Sequence, residues 1–101
     1  MPFVAGVDSS TQSTKVELRD LDSGRVVGRG AAAHPAVTPP VSEQDPAAWW
    51  SAFELAWDQA TGQLPARGGA IAAISVAAQQ HGMVALDADG SPVHPAKLWN
   101  D

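Results

Sequence analysis

The chain has 101 residues, 6 basic and 11 acidic, for a formal net charge of −5. A hydrophobic share of 45% excludes a disordered tail. The acidic balance argues against an electrostatic partner for nucleic acid or an anionic membrane, since both need clustered Lys and Arg. With no Cys, a disulfide scaffold, a cysteine zinc site and a thiol nucleophile are excluded.

The length fits one ordinary domain or a piece of a larger one. No run approaches the ~18 apolar residues of a membrane helix. Asp8 arrives before a signal-peptide apolar region could form after Met1-Pro2-Phe3. The expectation is a soluble, cytoplasmic chain.

Residues 3–7, Phe-Val-Ala-Gly-Val, form a short apolar run that predicts a strand buried on both faces. Polar residues 8–13 follow. Thr14, Val16 and Leu18 then alternate with Lys15, Glu17 and Arg19, the period of a strand with one buried face. Asp20 to Gly24 supplies turn chemistry, and residues 25–31 read as the returning strand.

Residues 35–46 are a connector, in which Pro35, Pro39, Pro40 and Pro46 forbid a helix or a central strand. Asp45-Pro46 is a helix start, with Asp as N-cap. Trp50, Phe53, Trp57, Ala60 and Leu64 recur at helical spacing, and Trp49, Ala52 and Ala56 widen the stripe. This predicts an amphipathic helix over about 46–62 with the tryptophans in the core.

Residues 70–77 follow a Gly68-Gly69 break and predict a strand parallel to the first, because a helix lies between them. Residues 83–87 and 91–94 flank Ala88-Asp89-Gly90, a hairpin signal. The expected layout is βββ-α-β with a hairpin, a mixed α/β domain. Asp101 closes the chain straight after Leu98-Trp99-Asn100 with no capping logic, so a fragment of a longer chain is expected.

Three segments could carry chemistry. DSSTQSTK, residues 8–15, crowds hydroxyl and amide side chains into a strand-to-strand turn that could hold phosphate oxygens. Asp8 could organise Mg²⁺ through water, and Lys15 could add positive charge, although alternation sends it to the solvent face. A plain polar turn is the bland alternative. Gln79-Gln80-His81-Gly82 sits at the mouth of a strand, where open α/β sheets bind ligands. Its polar groups could bond a polyol; a loop His bonded to backbone is the alternative. Trp99-Asn100-Asp101 offers a ring face beside polar groups, a sugar-recognition mix, or simply core and turn. His34 and His94 show no metal-ligand spacing.

Together, FVAGVDSSTQSTKVEL, SEQDPAAWW, ISVAAQQHGMVALDADG and KLWND resemble the N-terminus of FGGY-family carbohydrate kinases, across essentially the whole chain. The pattern is most similar to the members that act on xylulose. The resemblance implies a ribonuclease-H-like, actin-like ATPase fold, of which residues 1–101 would be the first part of the N-terminal domain. It implies ATP and Mg²⁺ as cofactors and phosphoryl transfer to the 5-hydroxyl of D-xylulose. On it, Asp8, Ser10, Thr11, Gln12 and Lys15 would handle the ATP phosphates, with Asp8 toward the metal. Gln80, His81, Trp99, Asn100 and Asp101 would bind the sugar. The family's general base and adenine pocket have no counterpart here, so the piece alone is expected to be inactive. The resemblance leaves room for a homodimer. Kinases of this family for glycerol, gluconate or ribulose are alternatives, as is a non-catalytic interaction module.

Overall fold

In a computed structural model, residues 2–37, 41–64, 71–79 and 82–98 are described. Strands β1 (Phe3–Ser9) and β2 (Ser13–Asp20) pair antiparallel, with Val7 opposite Val16 and Asp8 opposite Lys15. β3 (Val26–Ala33) returns along the other side of β2. The turn between β2 and β3 is set by Asp20, whose carboxylate accepts the N–H groups of Asp22 and Ser23 at 2.8 and 3.1 Å. Gly24 closes it at φ 75°, a left-handed conformation that suits glycine.

Short strand β4 (Glu43–Gln44) leads into helix α1 (Pro46–Thr61). Asp45 caps the helix, its carboxylate accepting the Ala47 N–H at 2.9 Å, and Pro46 occupies the first turn as the sequence predicts. The chain then forms β5 (Ile71–Ala78), parallel to β1. The main sheet runs in the order β3-β2-β1-β5. β6 (Ala96–Lys97) pairs with β4 as a separate two-stranded sheet. Two residues on each side are too few for a periodic signal, so the sequence reading has no such pair.

The alternation expected in β2 is present: Thr14, Val16 and Leu18 are at most 1% exposed, and Lys15, Glu17 and Arg19 lie on the other face. Fully burying a Val or Leu stabilises by about 1.5–3 kcal/mol, so these positions anchor the core. β1 departs from expectation. Only Ala5 and Val7 are buried, while Gly6 and Asp8 are exposed. The cause is that α1 covers one face of the sheet, over β2 and β3, and leaves the other open.

The core face of α1 also differs. Ala52, Ala56 and Ala60 are buried, but Trp50 is 63% exposed and Trp49, Phe53 and Trp57 are half-buried. Gly28 and Gly30 on β3 explain this. A Cβ at Gly28 would run into the carbonyl of Ala60, and one at Gly30 into that of Ala56. The two backbones therefore meet closely along a line of minimal side chains. The large rings move to the flank, where Trp50, Phe53 and Trp57 stack with centroids 5.2 and 5.7 Å apart.

The expected hairpin keeps its turn but little of its ladder. Asp87 accepts from the N–H groups of Asp89 and Ser91, and Gly90 has φ 82°. Pairing reduces to the bridge between Leu86 and Pro92, framed by Asp87 N–H to Ser91 O at 2.9 Å and Val93 N–H to Ala85 O at 3.0 Å. Pro92 sits in a non-hydrogen-bonded pair, where its missing N–H costs the ladder nothing.

Candidate functional site

The turn between β1 and β2 is closed by Ser10, whose N–H and hydroxyl both donate to Ser13 O, at 3.0 and 3.3 Å. Ser10 and Thr11 are half-buried and Gln12 is exposed. Asp8 and Lys15 stand directly opposite each other just before the turn, on the sheet face that α1 leaves open. Alternation does send Lys15 to the solvent face, but that is the face of Asp8 too. With Gly6, Glu17, Ser75 and Ala77 they line a shallow cleft of about 410 Å³. Gly6 and Ala77 carry little or no side chain, so the backbone there is approachable.

Three residues hold the turn from behind. Gln44, 3% exposed, donates its amide N–H groups to Thr11 O at 2.8 Å and Pro35 O at 2.9 Å. His34 donates its main-chain N–H to Gln12 O at 2.8 Å, and its ring Nε2 lies 2.7 Å from Thr14 Oγ1. Gln79, at the end of β5, donates its N–H to Ser9 O at 3.0 Å and accepts the Thr11 hydroxyl at 3.2 Å. Gln79 thus joins the second candidate segment to the first. The sequence reading gives neither Gln44 nor His34 this role: His34 enters it only as lacking metal-ligand spacing, and Gln44 is marked only by its place just before the helix cap.

Gln80, His81, Trp99, Asn100 and Asp101 lie outside the described residues. The described residues flanking them run side by side. Met83 and Lys97 exchange main-chain hydrogen bonds at 2.8 and 2.9 Å, and the Leu98 N–H reaches Ser42 O at 2.9 Å. Glu43 on β4 pairs with Lys97 Nζ at 2.7 Å and lies 3.5 Å from His94 Nδ1. So β6 lies between the chain that follows β5 and β4, the strand that carries Gln44.

On the open face Glu17 accepts from Arg29 at 3.2 Å and Arg19 at 3.4 Å. The Arg29 hydrogen bond, with Arg19 adding charge, holds its carboxyl below the ordinary value of 4.5. Among the described residues no three His, Asp or Glu side chains cluster as a metal cage. Among the described residues, Asp8 brings a carboxylate to the turn, with Glu17 further along the same cleft. That donor set suits Mg²⁺, which takes one or two carboxylates and completes its shell with water and phosphate oxygens. No helix of the described residues is long and apolar enough to cross a membrane.

The strand order, the parallel β5 and the turn at the end of β1 define a partial N-terminal domain of the actin-like ATPase fold. The chain belongs to the FGGY family of carbohydrate kinases, matching that family's N-terminal domain over residues 3–101. It is 50% identical over 101 residues to a xylulose kinase of Arthrobacter sp., covering all of this chain and 96% of that one. It is 48% identical over 100 residues to the xylulose kinase of Streptomyces coelicolor, covering 99% of this chain and 20% of that one. The chain therefore spans about a fifth of the Streptomyces relative. Among solved structures, the xylulose kinase of Bifidobacterium adolescentis superposes with a TM-score of 0.82 at 46% identity, over 99% of this chain and 18% of that one.

Proposed function

We propose that residues 1–101 form the first part of the N-terminal domain of a two-domain kinase that transfers the γ-phosphoryl group of ATP to D-xylulose. The observation that carries this reading is the similarity to xylulose kinases along essentially the whole chain, 50% identical over 101 residues in one and 48% over 100 in another. The turn then acts as the phosphate end of the site. Gln12 would offer its side-chain amide to phosphate oxygens, Ser10 and Thr11 would swing their hydroxyls toward them from Ser13 O and Gln79, and Lys15 would neutralise their charge. Asp8 would hold Mg²⁺ through water; the ion's chemistry is to screen the charge that builds on the transferred phosphoryl group. In such transfers the protein chiefly positions groups and neutralises charge.

Gln80 and His81 would bond the ketose hydroxyls, and Trp99 would lay its ring against the C–H face of the sugar beside Asn100 and Asp101. The carboxylate base that takes the hydroxyl proton lies in the remainder of the kinase, so these residues alone are inactive on this reading. An enzyme that consumes ATP and a small sugar belongs in the cytoplasm, and its acidic surface suits neither nucleic acid nor membrane. A homodimer is compatible with it.

A coupled assay of the full-length kinase over xylulose, ribulose, gluconate and glycerol tests the proposal. Xylulose is expected to give the highest kcat/KM. Good turnover of another polyol with none of xylulose overturns the substrate, and turnover of xylulose by the 101-residue polypeptide overturns the division of labour.

A further inference from the structure

We propose that Gln44 is a positioning residue for the phosphate turn, locked in its working orientation by the indole of Trp49; the role assigned to the turn rests on the kinase reading above. The Gln44 side chain spans from β4 to the turn, a contact between residues 33 apart in sequence. Its amide oxygen accepts the Trp49 Nε1–H at 2.8 Å. An indole nitrogen only donates, so this bond dictates which end of the amide is oxygen. The NH₂ group must then face the other way. There it meets two carbonyls, Thr11 O at 2.8 Å and Pro35 O at 2.9 Å, and spends one hydrogen on each.

The result is a clamp on main chain rather than on a core side chain. Gln44 draws the Thr11 carbonyl toward that of Pro35. One residue earlier the His34 N–H binds Gln12 O at 2.8 Å, so two successive carbonyls of the turn are fixed from behind. Fixing carbonyls backwards leaves the opposite side of the turn free to present donors to an anion. No other side chain does the same job: Glu has no donors, Met keeps the length without polarity, and Asn is one methylene short. Removing the amide strands two carbonyls and an indole N–H, each costly where buried. The turn would loosen, while the Ala52–Ala56–Ala60 packing that holds the domain would stay.

The test uses the full-length kinase with Gln44→Met, Gln44→Glu and Trp49→Phe. Gln44→Met is expected to raise KM for ATP about tenfold, with KM for xylulose changing less than about twofold and Tm nearly kept. Gln44→Glu should lose at least as much. Trp49→Phe, which removes the orienting N–H together with part of the half-buried ring, should move KM for ATP the same way by a smaller factor. An unchanged KM for ATP in Gln44→Met, or a parallel rise of both KM values with a collapse of Tm, overturns the proposal. If Gln44→Met does not fold, Trp49→Phe decides by the same criterion. Amide hydrogen exchange over residues 10–13 gives a readout that needs no turnover. Faster exchange in the variants supports the clamp and unchanged exchange overturns it. A wild-type enzyme that phosphorylates no sugar would sink the kinase reading alone, since exchange still decides the clamp.

Discussion

The Thr11 hydroxyl donates to the side-chain oxygen of Gln79 at 3.2 Å, across 68 residues of sequence. This bond ties the turn after β1 to the end of β5, the two places where the sequence concentrates polar groups. A double-mutant cycle with Thr11→Val and Gln79→Met is expected to give a coupling of about 0.5–1.5 kcal/mol by denaturant unfolding. Strict additivity would show that the two strand ends are held together by the main chain alone.

Gly30 has no space for a methyl group against the Ala56 main chain. Gly30→Ala should destabilise by about 1–3 kcal/mol, toward the upper end because backbone rather than a side chain must yield. Gly6 provides the contrast: no atom lies within 4 Å of a Cβ built there. Gly6→Ala should leave the unfolding midpoint nearly unchanged. Equal midpoints for the two variants would contradict the close helix approach.

Asp8 is exposed on the open face, so removing its charge should cost the fold little. On the proposed role, Asp8→Asn should lower kcat of the full-length kinase by about 100-fold or more while Tm holds. A variant with near-wild-type kcat at saturating Mg²⁺ would take Asp8 out of the phosphate machinery.

The N-cap can be read from helix stability. Asp45→Ala removes the 2.9 Å bond to the Ala47 N–H and should cost about 0.5–2 kcal/mol. Asp45→Ser should recover most of it, since a serine hydroxyl accepts the same N–H. Failure of Ser to rescue would assign the loss to something other than capping.

Glu17 gives a pH dependence. Arg29 first, and Arg19 with it, hold its folded-state pKa below the ordinary 4.5. A depressed carboxylate stabilises above its unfolded pKa, and that contribution is lost as pH falls through the folded value. The group is open to solvent, so the effect is small and salt-sensitive. Carbon-detected NMR should show Glu17 titrating below 4.5 and moving back toward that value in about 0.5 M salt. Titration at the ordinary value in low salt would mean that the pair does not persist in solution.

Much of this architecture is legible in the residues. The strict alternation of β2 exposes its buried face, Asp45-Pro46 marks the helix start, and the apolar run at 70–77 after a helix implies a parallel strand, which the structure places at Ile71–Ala78. The tryptophans mislead, because helical spacing says which side chains share a face but not how closely the opposing sheet lets that face approach. That distance is set by Gly28 and Gly30, which lie on another element upstream of the tryptophans. The polar segments 8–15 and 79–82 are visible as candidates from composition. Gln44, which supports the first of them, is not: its role depends on one tertiary route from β4 to the turn and on the indole that orients it, and no local pattern encodes either.

β5 forms one border of the main sheet, and Ile71–Ala78 contains neither proline nor a charged side chain. Ile74 and Val76 are more than half exposed. Natural sheets usually guard such a border with lysine, a bulge or a proline. β5 has neither lysine nor proline, and its register shift lies at its start, between Ile71 and Ala73, so a concentrated preparation of this polypeptide should stick strand to strand, and solubility rather than folding will set the conditions under which it can be handled.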